Sequence, residues 1–435
     1  MYMAAIHQDT AMSQPLHPEA VPASDGDAAI HSQASQAPCP VGRHAAPSSE
    51  IPHWDPRSNA VLQDQIAAYD AMRRTCTLAQ SAYGYTSVFH HADVLRVLQD
   101  HEAFSNAVSR FPSVPNGMDP PEHTPFRKLI EPYFDRDHMD AFAPRCREIS
   151  ARLVDGLSSG TDIELIGEFA QIFALQIQCA WLGWPSSLHE PLRLWTLKNQ
   201  AATLSRDHEA QKAVAWEFDG YIRDLLAARR DAGDAAPDDI TTHLLRNNAL
   251  GRLLTEEEII SILRNWTVGE LGTIAASIGI IAHYLATHPD VQRQLRDDFS
   301  LLPAAIDEIL RIHAPLIMNR RVTTRPVELG GYALPAGTRI AILWASANRD
   351  EAVFGCPDEF RLDRDPALNL LYGAGVHVCP GAPLARLELL VVTEALLAGT
   401  SWLAVSEGRP PAKACLPGSG FSSLFVRIDK AQAAA

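Results

Sequence analysis

The sequence predicts a mainly α-helical domain that carries a few small β-sheets. Three observations lead there. The run from Thr255 to His288 is the longest stretch of helical spacing: Thr255 and Glu258 form a capping box, and Pro289 stops the run. The stretch from Leu371 to Arg386 reads as a glycine-punctuated loop that carries Cys379 into a second long helix. That helix runs to about Ala398, with Leu384, Leu387, Val391 and Ala395 on one face. Alternating, strand-like segments are few and short, as in Tyr83 to Phe89.

Taken in order, residues 1 to 50 are rich in Ala, Ser, Pro, His and Gln and lack apolar periodicity, so they read as a disordered or extended tail. Residues 51–435 then form one domain. Ala60 to Arg74 has helical spacing, Tyr83 to Phe89 is a strand, and Ala92 to Leu98 is a short helix. Pro120 and Pro121 start a further helix after a Pro- and Gly-rich loop from about Asn106 to Gly117. His138 to Leu157, Ile163 to Leu182, Leu188 to Ala202 and Glu209 to Arg230 read as successive helices, with a polar connection between about Leu197 and Glu209. After the long helix, Val327 to Ile342, with Gly330-Gly331 and Pro335-Ala336-Gly337, reads as a hairpin-rich sheet.

With 435 residues, of which 46% are hydrophobic, the chain can bury a sizeable core. A net charge of -15 argues against nucleic-acid binding and against adhesion to anionic membranes. Seven scattered cysteines show no C-x-x-C pair and no zinc spacing, which suits a reducing compartment. The N-terminus lacks a basic region followed by an apolar run, so no signal peptide or membrane anchor is expected. These features together predict a cytoplasmic chain.

Cys379 stands just before a helix N-terminus, where partial positive charge and unpaired N–H groups stabilise a thiolate. A lone cysteine in such a loop suits haem iron better than zinc. The order Tyr372-Gly373-x-Gly375-x-His377-x-Cys379-x-Gly381 resembles the haem-binding signature of the cytochromes P450, F-G-x-G-x-H-x-C-x-G, with Tyr372 in the Phe position. The resemblance extends from about residue 51 to 430. It implies the P450 fold, in which haem b lies between a long distal helix and the proximal Cys loop and helix. Cys379 then becomes the axial iron ligand. His123 and Arg127, at i, i+4 on one helix face, together with Arg321 and His377, take the positions that hold the haem propionates. Glu308, Arg311 and Arg364 match the structural network of the family, formed by E-x-x-R and a later arginine.

In the distal helix the family pattern is A-G-x-[DE]-T, an acid and an alcohol that organise water for proton delivery. Gap-free alignment on Gly279 and the His-Pro terminator places the alcohol at Thr273, Gly269 in the Ala position, and Gly272 where the acid is expected. Glu270, at i−3 from Thr273, is the candidate replacement carboxylate; a structural ion pair or a neutral proton carrier in a dry wall is the alternative. Asn265, Val268, Gly269, Ile317 and Phe421 are the candidate pocket residues, with ordinary packing the competing reading for Asn265 and Phe421.

The resemblance implies a monomeric haem-thiolate monooxygenase of the soluble bacterial type. It would activate O2 to hydroxylate or O-dealkylate a small organic substrate, with electrons from a separate ferredoxin or flavodoxin and its reductase. Two alternatives stay open. The lost acid makes a peroxide-driven peroxygenase thinkable, although the Arg-Pro pair of family peroxygenases is missing from the distal helix. A non-catalytic haem-binding protein is the other.

Overall fold

The computed structural model of the protein describes residues 50–109, 112–205, 207–416 and 418–430. Apart from Glu50, the expected tail lies outside them. Helix Glu256–Thr287 is the axis of the fold. At 32 residues it is roughly 48 Å long. Thr255 caps it with the reciprocal Glu258 contact expected from sequence. Its apolar residues face inward on most sides because helices Gln171–Leu182, His208–Ala232, Leu302–His313 and Ala382–Gly399 pack around it. It is long and apolar enough to cross a membrane, but most of it is buried, so it reads as the core helix of a folded domain.

Strands gather at the periphery. A six-stranded sheet has the order His53–Trp54, Leu78–Ser81, Thr86–Val88, Arg339–Leu343, Met318–Thr323, Phe104–Ser105. A three-stranded sheet joins Thr400–Val405 and Phe425–Lys430 to Thr161–Glu164. The larger sheet has its own apolar cluster around Val88, Leu98, Phe104 and Ile340.

Three segments differ from expectation. Ile163 to Leu182 is not one helix. Thr161–Glu164 pairs antiparallel with Phe425–Lys430, a partner far along the chain that local periodicity does not reveal. The Glu164 carboxylate then accepts from the N–H of Gly167 at 2.6 Å, opening a π-helical turn before helix Gln171–Leu182 begins. The polar connection between Leu197 and Glu209 is also mostly helix. Helix His189–Ser205 runs through it, burying Leu192, Trp195 and Ala202 and presenting Lys198 to Glu217 at 2.9 Å. The next helix, His208–Ala232, starts at once, with Asp207 as its N-cap. Ala60 to Arg74 is broken where Asp64 caps a second helix, Gln65–Thr75.

Candidate active site

The proximal wall is the loop from Leu370 to Gly381. The N–H of Cys379 donates to the carbonyl of Tyr372 at 2.8 Å, closing the loop on itself. Gly375 has φ +71°, and a Cβ there would stand 2.3 Å from the Leu98 carbonyl, so only glycine fits. Cys379 keeps exposed surface, yet its surroundings are close enough that burial pushes its thiol up. The N–H groups of Gly381 and Ala382 and the cations Arg127 and Arg386 pull the other way and favour the thiolate. Arg127 also donates to the Val378 carbonyl at 2.7 Å, tying helix His123–Ile130 to the residue before Cys379.

Beside this loop lies a buried polar cluster. His123 and His377 meet edge to face with ring centroids 4.5 Å apart. Among the described residues, Nδ1 of His123 and Nε2 of His377 have no hydrogen-bond partner. Asp119, the nearest acid, is 3.6 Å from His377 Nε2. Burial acts upward on Asp119, but His377, the Asn106 N–H and the Ser105 hydroxyl outweigh it and hold the carboxyl at about 2. Burial, helped by His377 and Arg127, holds His123 down at about 4 and therefore neutral. Arg321 is 6% exposed, and among the described residues its side chain makes one hydrogen bond, to the Arg320 carbonyl at 2.7 Å. Burial brings its guanidinium down to about 10, with Asp119 in partial opposition. It lines a cleft of about 260 Å³ with Tyr85, Ala107, Val108, Val322, Gly337 and Arg339. Two ring nitrogens without partners and an undercompensated buried cation in one place suit a group that carries anionic oxygens.

The distal wall is the middle of helix Glu256–Thr287. Gly269 and Gly272 are exposed, and nothing lies within 4 Å of where a Cβ would stand on either. A flat group has room against that face. Thr273 is half-buried, and its hydroxyl donates to the Gly269 carbonyl at 2.7 Å, leaving its oxygen free to accept. Val268 is half-buried at the same level. The loop before Asp119 is pinned to this helix: Ser261 Oγ accepts from the Val114 N–H at 2.8 Å.

Several expected pocket residues do other work. Asn265 spends its amide on that loop, donating to Ser113 Oγ at 3.1 Å and the Val114 carbonyl at 3.0 Å, so it is a clamp and not a free handle. Ile317 is 1% exposed and packs with Tyr69, Phe89 and Leu343 in a separate core cluster, because the strand it precedes is buried there. Phe421 lies against the far half of the distal helix, 3.9 Å from a Gly279 Cβ position and 4.6 Å ring to ring from His283. Glu270 sets its carboxyl beside Gln178, and burial together with the Glu388 carboxyl pushes it well above the ordinary glutamate range.

The Glu308, Arg311 and Arg364 network is present and buried. Arg311 grips both Glu308 oxygens at 2.7 and 2.9 Å, and Arg364 Nε adds a third bond at 2.8 Å. Arg311 also donates to the carbonyls of Asn348 and Pro357. Asn348 Oδ1 accepts from the N–H of Leu370, so the brace reaches the start of the Cys loop. Sequence reasoning missed Asn348, Asp119 and Glu388 as participants. Glu388 did leave a signal: a carboxyl at i+4 from Leu384 and i−3 from Val391 interrupts an apolar helix face.

A loop thiol, orphaned donors beside it and an open glycine face define a haem-thiolate protein. Comparison with known proteins agrees. The cytochrome P450 family model matches residues 188–428. A putative cytochrome P450, YjiB of Bacillus subtilis, is 30% identical over 76% of this chain and 85% of its own. Erythromycin C-12 hydroxylase of Saccharopolyspora erythraea is 30% identical over 78% and 88%. The structure of cytochrome P450 CYP109Q5 from Chondromyces apiculatus superposes with a TM-score of 0.80 at 29% identity, covering 88% of this chain and all of that one. The chain belongs to the cytochrome P450 family, whose members bind haem b and act as monooxygenases.

The residues present fit that cofactor. Cys379 would supply the ligand, and His123, Arg127, Arg321 and His377 would supply propionate donors. Replacing Arg321 with alanine should speed haem transfer to apomyoglobin severalfold, because the propionate pocket then loses its buried cation. An unchanged transfer rate would remove Arg321 from the cofactor shell.

Proposed function

We propose that the protein is a redox-partner-dependent monooxygenase that inserts one oxygen atom into a small, mainly apolar organic molecule by hydroxylation or O-dealkylation. The carrying observation is the Cys379 thiol under the N–H groups of Gly381 and Ala382. Bound haem supplies the oxygen chemistry. The chain's own residues set the ligand charge, hold the propionates and leave a glycine-floored space for substrate. Thr273 stands at the edge of that space with a hydroxyl oxygen able to accept a proton-bearing partner. Relatives include an erythromycin C-12 hydroxylase and a vitamin D(3) 25-hydroxylase, which favours hydroxylation of an organic molecule here.

A ferric Soret titration against macrolides, sterols, terpenoids and fatty acids tests the substrate class. A shift to shorter wavelength with one class supports it; no shift with any class counts against a free apolar substrate. NADH oxidation with a ferredoxin and its reductase, set against peroxide-driven turnover of the same molecule, separates a monooxygenase from a peroxygenase.

Electrons would come from a separate ferredoxin or flavodoxin system, docking on the face outside the Cys loop. Arg127 and Arg386 are committed there to Glu131 at 2.9 Å and Asp307 at 3.1 Å, which leaves Lys128 and Arg136 as the more available cations. Lys128→Glu with Arg136→Glu should weaken ferredoxin affinity severalfold at low salt and less at high salt. Equal affinity would place the docking surface elsewhere.

A further inference from the structure

A hairpin near the end of the chain closes off one face of the distal helix. On that helix Gly269, Thr273, Ala276 and Ile280 follow at i, i+4, i+7 and i+11, so they lie along one face. The first two border the open space of the site. The next two are covered. Gly420, at φ +73°, lies so close that a Cβ on it would stand 3.1 Å from Ile280 Cγ1 and 3.4 Å from the Ala276 carbonyl oxygen. Phe421 continues along the same helix to His283 and opens strand Phe421–Ser423, which pairs with Ala412–Lys413. The tip of this hairpin therefore ends the open face about one turn beyond Thr273.

One hydroxyl ties that tip to a strained peptide. Ser419 is 7% exposed, and its Oγ donates to the Ala314 carbonyl at 2.5 Å. Among the described residues Ala314 is the only non-glycine with positive φ, at φ 35° and ψ 100°. A residue with a Cβ is strained there, and the conformation persists only where its neighbours hold it. Two holds are local: the Ala314 N–H donates to the Leu310 carbonyl at 2.8 Å, and Pro315 restricts the residue before it. Ser419 is the hold from outside. Ala314 ends helix Leu302–His313, which carries Glu308 and Arg311, and leads into strand Met318–Thr323, which carries Arg321. The base of the hairpin is fixed separately. Gln65 Nε2 donates to the Ala414 carbonyl at 3.0 Å, and the Ala414 N–H closes on the Gly420 carbonyl at 3.0 Å.

We propose that Ser419 is a positioning residue for substrate: by holding the Ala314 carbonyl it fixes the Gly420 tip on the distal helix, and so limits how long a molecule the pocket accepts; this rests on the monooxygenase reading above. The hydroxyl itself touches no substrate. It does two things that an apolar side chain cannot. It satisfies a buried carbonyl that is costly to leave unpaired. It also couples the tip to a peptide with a more relaxed conformation available once it is released. Breaking the bond lets Ala314 turn its carbonyl away, so the tip loses its anchor and the closed end of the open face gives way.

Titration of the ferric holoprotein with azoles of different length reads the pocket without turnover. Imidazole and a biphenyl-substituted imidazole both bind haem iron through nitrogen and move the Soret band to longer wavelength; only the long one has the reach to meet the tip. Ser419→Ala should bind the long azole severalfold tighter and imidazole as before. Ser419→Thr, which keeps a hydroxyl, should return the ratio of the two affinities toward that of the wild type. Stability and amide exchange test the clamp apart from haem. Ala314→Gly should raise the denaturant midpoint, because glycine takes positive φ without strain. The gain should be smaller in the Ser419→Ala background, where the peptide has already relaxed. Hydrogen exchange in Ser419→Ala should quicken at Ala414, whose N–H bonds to Gly420, and at Ala345, whose N–H reaches the Ile317 carbonyl. Equal gains from Ala314→Gly in both backgrounds, or unchanged exchange at both amides, overturn the clamp. Faster exchange with an unchanged azole ratio overturns the positioning role. A wild type without a Soret band overturns the monooxygenase reading, while exchange and stability still judge the clamp.

Discussion

Exchanging Cys379 for serine should leave a folded protein that takes up haem but loses the red-shifted Soret band of its reduced carbon monoxide complex, together with monooxygenase turnover. The expected loss is on the order of 10³-fold or more, as when a group essential to the reaction is removed. The cause is local. The N–H groups of Gly381 and Ala382 and the cations Arg127 and Arg386 are all arranged to hold a negative sulfur. A serine oxygen in the same place remains a neutral hydroxyl, and it donates far less electron density than a thiolate. Fold and cofactor uptake should persist because other residues hold the propionates. Arg321, His123 and His377 lie apart from the sulfur and keep their unmet demand for anionic oxygens. The visible spectrum of the carbon monoxide complex, beside the haem content of the same preparation, checks both halves. A Cys379→Ser protein with an unaltered band would move the iron ligand to another residue.

What could be read from sequence follows the range of the forces involved. The capping box of the distal helix and the cysteine loop are local, and the helix starts where Thr255 places it. The E-x-x-R pair is local too, and its third member, Arg364, was legible from a recognised order of motifs; the structure confirms the contact at 2.8 Å. Strand Thr161–Glu164 was hidden because its partner lies some 260 residues away and its own four residues carry little alternation. The pocket was the least legible part. Asn265 and Ile317 have the chemistry of pocket residues, yet tertiary contacts decide their use, one as a clamp on Ser113 and Val114 and one as core. Glu270 was legible as an unusual acid next to Thr273. The influence of Glu388 on it arises only because the helix following Cys379 packs against the distal helix.

Arg311→Ala should cost about 3–5 kcal/mol of stability, the range for removing one partner from a buried ion pair, and should weaken the Cys loop before the rest of the fold. Arg311 is 1% exposed, and Glu308 is 5% exposed. Losing the arginine strands a buried carboxylate with Arg364 and the Arg361 N–H as its remaining partners. It also frees the carbonyls of Asn348 and Pro357, each of which loses a charged donor. Asn348 in turn holds Leu370 at the mouth of the loop, so the disturbance travels toward Cys379 through a defined hydrogen bond. Arg364→Ala should cost less, because Arg364 is more exposed at 11% and Arg311 still grips both oxygens of Glu308. Replacing Glu308 and Arg311 together with methionine should be milder than the sum of the two single changes, since no lone buried carboxylate is left behind. Denaturant midpoints of these three variants and of the two single methionine changes, with haem release followed in the same titrations, measure the order. If Arg311→Ala lies within about 1 kcal/mol of the wild type, the range of an exposed pair, the network does not brace the loop and the Cys379 turn is held by its own backbone bonds.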